Sequence, residues 1–555
     1  YPTLSDTGSF RLYTHGDVYV GSASRRTLWL LFGASALVLL IACANTATLL
    51  LVRASTRQRE IAVRASIGAG PRRILQQLLI EGVVLSSIAS LLGVVVSVVA
   101  LRGFLSVAPS AVPGGADPSI DARVLAFVVA VAVGTGMVFG LAAAIPAYRA
   151  RLHAHLPRGA QGGSRLRETL LLLQTAVTVV LLAGASLLAT SFARLLGVDP
   201  GFDADRVVAV RLGRLPPGYD AARREQLVTR LLDRFRALPG VEQAAAAPNL
   251  PLERGLNFPI DVPERPDLAM GAVELRYVSP GYLATLGIPL RGGRPFGDGD
   301  VAGSEPVAIV NEAFARHFWQ DAPPVGRTIR IGHFKDRWFM SEEARHETRV
   351  VGVAADIKEM RLDRPAKPTV LVPRTQNASG TPVLLVRGAP SALISRLREG
   401  VLAEEPRLAP VVERLSSVVS RSIAEPRFRT LLVGSFAGFA LLLAGIGIYG
   451  VIASGVQHRR REIAVRLALG ASRGAVAAAV SRRCLANVAA GTIVGLMGYW
   501  AARRLITAWL FELSPGDPRV LTGAVMVLAL VAALASWLPA RRATRVDPAA
   551  ALRLD

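Results

Sequence analysis

A polytopic α-helical membrane protein, with an α+β domain inserted between two repeated helical modules, is the fold class this sequence predicts. Three observations predict it. Of 555 residues, 51% are apolar and the mean hydropathy is positive, a balance that is high for a soluble chain. The apolar residues gather into seven runs, each about 20 residues or more, the length that crosses a bilayer as a helix. A hexapeptide, Arg59-Glu60-Ile61-Ala62-Val63-Arg64, recurs identically from Arg461 to Arg466, 402 residues later, each time between two apolar runs and before a Gly-Ala pair, Gly68-Ala69 or Gly470-Ala471.

The first crossing is Thr27 to Val52, with Asn45 as its most notable polar residue. The second lies within Ile74 to Leu101, with Glu81 at the headgroup level. The third is Arg123 to Pro146 and the fourth Thr169 to Leu196. After the soluble stretch come Thr430 to Val456, Leu485 to Ile506 and Val520 to Leu538. Glycines inside the later crossings (Gly445, Gly447, Gly491, Gly495 and Gly498) read as sites of close helix packing, and Asn45 as a helix-to-helix hydrogen bond.

Charge fixes the orientation. The net charge of +23 is almost all arginine, since Lys335, Lys358 and Lys367 are the only lysines. A nucleic-acid protein of this charge would carry its basic residues as a stripe with interleaved aromatics; here they cluster at the ends of apolar runs. They fill the segment after the first crossing (Arg53 to Arg73), the 151–168 linker, the segment after the fifth (Arg459 to Arg483) and the tail from Arg541, which the positive-inside rule assigns to the cytoplasm. The alternate loops and the 230 or so residues after the fourth crossing then lie outside it. That topology is expected of a bacterial cytoplasmic (inner) membrane protein with its large domain outside. An odd number of crossings with an exterior start, and a first residue that is not methionine, read as a chain starting inside a longer protein, residues 1–26 being the end of an exterior domain and an eighth helix lying upstream.

The exterior segment, 197–428, has a β-α-β rhythm. Arg206 to Leu212 alternates like a strand, Ala221 to Leu238 sets Leu227, Leu231, Phe235 and Leu238 on one helical face, and Val241 to Ala247 returns as a strand. Further strands are expected at Val273–Val278, Val307–Val310, Thr348–Val353, Thr369–Val372 and Val383–Val386, and helices at Asn311–Trp319 and Ser391–Glu404.

The repeat is wider than the hexapeptide. Asp121-Ala122-Arg123-Val124-Leu125 matches Asp517-Pro518-Arg519-Val520-Leu521, and Ile145-Pro146-Ala147-Tyr148-Arg149-Ala150 matches Leu538-Pro539-Ala540-Arg541-Arg542-Ala543. Residues 27–150 and 429–555 are therefore two copies of one three-helix module, with connecting elements at 53–73 and 457–475. The fourth crossing stands outside the copies, so the plan is one helix plus three, twice.

Chemistry is sparse. No lysine follows a glycine as a phosphate-binding loop requires, and Cys43 and Cys484 both sit in apolar runs, so no disulfide framework is read. His153 and His155 lie on the linker without cysteines nearby, which leaves no metal site in the pattern. No catalytic constellation and no cofactor is read in this chain, and the crossings carry almost no acids at mid-depth, against a proton-coupled carrier. That leaves the hexapeptides. Glu60 and Arg64, like Glu462 and Arg466, are spaced i, i+4 and can pair on an exposed helical face, beside Ile61 and Ala62 or Ile463 and Ala464. Two readings stay open: an interfacial helix whose arginines hold anionic membrane lipid, and a surface on which a protein docks.

These residues resemble a family. Arg-Glu-Ile-Ala-Val-Arg with its Gly-Ala, and the exit Leu538-Pro539-Ala540-Arg541-Arg542-Ala543 followed by Asp547-Pro548 and Ala551-Leu552-Arg553, resemble FtsX-type permease domains of ABC systems. Val278-Ser279-Pro280-Gly281-Tyr282, Leu286-Gly287-Ile288-Pro289-Leu290, Gly293-Arg294-Pro295-Phe296, Val310-Asn311-Glu312 and Pro324-Val325-Gly326 resemble the periplasmic core domain of MacB-type permeases. The order permease, core domain, permease is similar to the duplicated orphan permeases of that superfamily. The resemblance implies a permease subunit of an exporter or mechanotransmission system, driven by a separate ATPase dimer that binds the ATP and docks on Arg59, Glu60, Ile61, Ala62, Arg64 and Gly68 and on Arg461, Glu462, Ile463, Ala464, Arg466 and Gly470. It also implies a periplasmic adaptor or envelope protein as partner, no need of a homodimer, and, as the alternative function, an FtsX-like signalling or scaffold protein that regulates an envelope enzyme.

Overall fold

In a computed structural model, the structure describes residues 22–56, 71–107, 121–152, 161–268, 270–320, 322–334, 337–339, 346–376, 380–458, 463, 465–466, 469, 471–507 and 509–543. The chain divides into two compact units, Tyr1–Arg194 with Ala424–Asp555, and Leu195–Ile423.

The first unit is helical. Its long helices are α1 (Ser22–Thr56), α2 (Pro71–Val107), α3 (Ala122–Leu152) and α4 (Gln161–Leu196), and, after the second unit, α10 (Ala424–His458), α11 (Arg473–Thr507) and α12 (Pro518–Ala543). Among the described residues six of these are long and apolar enough to span a membrane, and α3 contributes a shorter apolar stretch, Ala122–Met137. Every expected crossing falls within one of these helices. The first eight residues of α4, expected as part of the 151–168 linker, are already helical. Apolar surface is exposed along α2, at Ile88, Leu92 and Val96 for example, as expected where lipid is the solvent.

The second unit has two lobes. In the first, β1 (Val207–Arg211), α5 (Ala221–Arg236) and β2 (Val241–Ala247) are completed by β12 (Val383–Gly388), α8 (Pro390–Glu404) and β13 (Val411–Arg414), followed by the short helix α9 (Leu415–Ser422). The sheet order is β13-β1-β12-β2, antiparallel throughout, which is the split β-α-β plan. α5 begins on Asp220, whose carboxylate accepts from the Arg223 N–H, and its Leu227, Leu231 and Phe235 are wholly buried against Val208, Val210 and Leu384.

The other lobe is inserted between β2 and β12. Its strands are β3 (Leu256–Asp261), β4 (Met270–Val278), β5 (Leu290–Gly293), β6 (Val307–Asn311), β7 (Thr328–Ile331), β10 (Glu347–Ala354) and β11 (Thr369–Pro373), with helices α6 (Tyr282–Leu286) and α7 (Glu312–Phe318) and a small hairpin, β8 (His333–Phe334) with β9 (Arg337–Trp338). The order β10-β6-β11-β4-β3-β7 closes on itself because β7 also pairs with β10 at Glu347–Arg349, and β5 pairs with the far end of that same edge of β10, at Gly352–Ala354. The lobe is thus a six-stranded barrel, and closure removes its sheet edges. Val273, Leu275 and Tyr277 of β4 point inward with Val310, Val350 and Val370, and the inside is closed by Phe314, Phe318 and Trp319 of α7 and the turn after it.

Candidate functional site

Three places in the chain carry polar chemistry that the fold alone does not require. The first is the hexapeptide. Its first copy, with Arg59, Glu60, Ile61, Ala62, Arg64 and Gly68, lies outside the described residues, as do Arg461, Glu462, Ala464 and Gly470 of the second. Of the second copy, Ile463 is 3% exposed and packs in a cluster with Ile448, Ile452 and Val456 of α10, Leu171 of α4 and Val476 of α11. Arg466 and Val465 face outward, and Leu469 is 82% exposed. A helical turn runs through them, with the Leu469 N–H donating to the Val465 carbonyl at 3.0 Å and the Ala471 N–H to that of Arg466 at 3.0 Å. Ser472 then caps α11, its hydroxyl accepting from the Ala475 N–H at 3.2 Å. Among its described residues the element is anchored by Ile463 and displays Val465, Arg466 and Leu469 on an apolar and basic outer face.

The second is inside the helix bundle. Asn45 of α1 donates to the Leu443 carbonyl of α10 at 2.6 Å, and Gln174 of α4 reaches the Ala444 carbonyl at 3.4 Å. Both fit because α10 has no side chain at Gly447, where a Cβ would stand 2.2 Å from Gln174 Nε2 and 2.5 Å from Asn45 Oδ1. The expected interhelical hydrogen bond of Asn45 is present. In the repeat, Asn45 and Gly447 are equivalent positions, 402 residues apart, so one module supplies the polar group and the other supplies the room. The glycines of α11 act likewise: a Cβ on Gly491 or Gly495 would meet the α4 backbone at 2.7 or 2.6 Å.

The third lies in the outer unit, on β4 of the barrel lobe and at the contacts between the two lobes. The strand alternation that sends Val273, Leu275 and Tyr277 into the barrel sends Glu274 and Arg276 to its other face, and that face is buried too. Arg276 Nη2 lies 2.5 Å from Glu359 Oε2 and 3.5 Å from Glu274 Oε1, all three side chains being 97% or more buried. Arg276 also donates to the Asn249 carbonyl at 3.2 Å, and Tyr282 is buried beside it. Desolvation raises the carboxyls of Glu359 and Glu274 above the ordinary carboxylate range, against the pull of Arg276. Two further arginines tie the lobes: Arg374, after β11, pairs with Glu225 of α5, and Arg387 of β12 pairs with Asp203 and donates to the Thr285 carbonyl of α6 at 3.3 Å. Ser279 adds a backbone pair, its hydroxyl accepting from the Ala246 N–H at 2.7 Å and its N–H donating to the Ala246 carbonyl at 2.9 Å.

The motifs quoted from the outer domain are largely turn chemistry. Gly281 and Gly287 flank α6 with φ of 83° and 70°, and Asn311 caps α7 by accepting from the Phe314 N–H while also accepting from Thr369 N–H and donating to Asp356. The Arg276 cluster is not legible in the sequence, because Glu274 and Arg276 alternate with apolar residues and so look like a solvated face. The available signal was the tight turn after β4, Ser279-Pro280-Gly281, which folds Tyr282 back over that face.

Long apolar helices in two copies of a module, with a two-lobed unit inserted between them in the chain, mark a polytopic membrane protein. The FtsX-like permease C-terminal family matches residues 32–153 and 434–548, and the MacB-like periplasmic core domain family matches 169–405. The chain belongs to the FtsX- and MacB-type ABC transporter permeases. Among curated relatives, it is 23% identical over 294 residues to the uncharacterized ABC transporter permease YknZ of Bacillus subtilis, covering 50% of this chain and 69% of that one. It is 26% identical over 295 residues to the macrolide export ATP-binding/permease protein MacB of Rhodospirillum rubrum, covering 50% of this chain but 42% of that one. The periplasmic region of MacB from Actinobacillus actinomycetemcomitans aligns over 41% of this chain and 96% of its own, at 13% identity and a TM-score of 0.29.

Proposed function

We propose that this chain is the transmembrane subunit of an ABC-type export or mechanotransmission system in the bacterial inner membrane. A separate ATPase dimer docks on the connections at 53–73 and 457–475, and its nucleotide-driven closure tilts the helices and moves the periplasmic unit, which acts on a substrate, adaptor or envelope protein outside. The observation that carries the reading is the second hexapeptide's division of labour. Ile463 ties it into the cluster with α4, α10 and α11, while Val465, Arg466 and Leu469 remain exposed. A surface that is anchored to several spanning helices at once can pass a push to all of them, whereas a lipid-binding stripe needs no such anchor. Lipid attraction also asks only for positive charge, yet both copies keep the glutamate among their arginines.

The test is co-purification from detergent-solubilised membranes, read as ATP hydrolysis in the purified preparation. The expected result is a nucleotide-hydrolysing subunit with the unaltered chain and its release by Glu60→Ala with Glu462→Ala. Retention by the double variant would sink the docking role of the hexapeptides.

A further inference from the structure

Basic residues near the spanning helices gather on the cytoplasmic side, and Arg503 and Arg504 at the far end of α11 break that rule. It is the end at which α4 runs into the outer unit: Arg194, in the last turn of α4, donates to the Glu512 carbonyl, and Ser191 of α4 accepts from the Phe511 N–H at 2.8 Å. Arg483 and Arg503 stand 20 positions apart, or about 30 Å of helix, the thickness of the hydrocarbon core. Arg503 and Arg504 therefore sit at the level of the outer phosphates. Below them, Ile493, Met497, Trp500 and Arg504 itself fall on one exposed stripe, spaced i, i+4, i+7 and i+11. The stripe is apolar in depth, aromatic above and basic at the top.

Arg503 is held in place there. Its guanidinium lies over the Trp500 ring at 3.9 Å, and the ring meets Gly516 of the loop before α12, where a Cβ would stand 3.2 Å from it. That loop is fastened by Tyr499, whose hydroxyl donates to the Pro515 carbonyl at 2.5 Å. An arginine that only reached for water would extend away from the ring. A guanidinium stacked by its face keeps its N–H edges free, and among the described residues neither Arg503 nor Arg504 meets a carboxylate or donates a side-chain hydrogen bond. The fold does not need this arrangement. At the offset of 402 that relates the modules, α2 has Val98 and Leu101 in the places of Trp500 and Arg503, and it runs on to Val107 without them. We propose that Trp500, Arg503 and Arg504 bind the phosphate of an anionic phospholipid in the outer leaflet, with an acyl chain along Met497 and Ile493. Two cations without a carboxylate select a headgroup of net negative charge, and the planar guanidinium fork suits its phosphate oxygens. This site stands on one end of α11 and not on the docking of an ATPase, so either can fail alone.

The experiment is native mass spectrometry of the full chain, purified in detergent, stripped of lipid and given equal amounts of phosphatidylglycerol and phosphatidylcholine with the same acyl chains. The expected result is several-fold more bound phosphatidylglycerol than phosphatidylcholine. That preference should fall several-fold in Arg503→Gln with Arg504→Gln, and also in Trp500→Leu, which takes away the ring under Arg503. Arg102→Gln with Arg519→Gln, which removes two exposed cations from the outer ends of α2 and α12, should leave it as it is. An excess of inorganic phosphate should displace little of the lipid, since it lacks the acyl chain. Equal binding of the two lipids by the unaltered chain overturns the proposal, whether or not any variant folds. So does a preference that survives Arg503→Gln with Arg504→Gln. A control pair that lowers it as much overturns it in favour of a diffuse effect of charge, and full displacement by phosphate gives the site to a free anion instead.

Discussion

In the bundle, α4 and α11 are held together by what Gly491 and Gly495 lack; in the outer unit, the two lobes are tied by what Arg374 and Arg387 carry, and the barrel lobe buries Arg276 with its two glutamates. The difference follows the solvent. Between helices in lipid there is little hydrophobic gain from association, so close backbone contact and a few hydrogen bonds do the work. In the water-exposed unit, apolar burial builds each lobe separately, around Val310 and Phe314 in one and Leu227 and Phe235 in the other. The seam between them is polar, and a buried ion pair is sensitive to the loss of either partner. One joint therefore tolerates charge changes and not volume, and the other tolerates volume better than charge changes.

The sharpest way to break that contrast is Arg276→Met, which keeps volume and leaves Glu274 and Glu359 buried without their cation. The outer unit should lose about 3–5 kcal/mol, read as a fall in its thermal midpoint, while the helices melt unchanged. Next in size, Gly495→Leu in the bundle must push against the α4 backbone and should cost about 3 kcal/mol or more, read as loss of folded, monodisperse protein in detergent. Gly93→Leu, the same change at the same position of the first module, meets nothing and should leave the chain's stability unchanged.

The pH dependence sharpens the contrast from the other side. Glu359 and Glu274 have folded values raised above the unfolded one by burial, so their contribution is fully present below about pH 4 and is lost as pH rises through the raised value. Asp300 is the opposite case. The bidentate Arg294 guanidinium, at 2.8 Å to each oxygen, lowers its carboxyl, so its contribution is present above about pH 4 and disappears as pH falls through the lowered value. Glu359→Gln should flatten the decline of stability at the higher pH, and Asp300→Asn the decline in acid, both measured by chemical denaturation across pH. The smallest effect belongs to Glu168→Gln at the α4–α11 seam. Its partner Arg483 is 65% exposed, and the loss should stay below about 1 kcal/mol.

The spanning helices are legible in the sequence because twenty-residue apolar runs leave little choice of structure in lipid. β1, β2 and α5 are legible too, because their alternation and helical stripe are strong. Strand β3 escaped because Pro259 and two polar residues interrupt it, and β7 because four residues of Thr-Ile-Arg-Ile give no window to read. Barrel closure rests on the pairing of Arg349 with Thr328, a register that no local pattern encodes. Of the hexapeptide, the spacing suggested that Ile463 adds to an exposed apolar surface, whereas it turns inward as an anchor and leaves Val465, with Leu469 beyond the repeated six residues, as exposed apolar residues. The equivalence of Asn45 and Gly447 was present in the repeat, but only the meeting of α1 with α10 gives it meaning.

The central claim is that the exposed turn after the second hexapeptide receives the push of an ATPase. The direct measurement is ATP hydrolysis in the purified complex made with Leu469→Asp, alongside the thermal midpoint of the same preparation. The account predicts that hydrolysis is lost with the bound ATPase while the midpoint stays that of the unaltered chain, since Leu469 is 82% exposed and holds nothing together. Undiminished hydrolysis at an unchanged midpoint would contradict it.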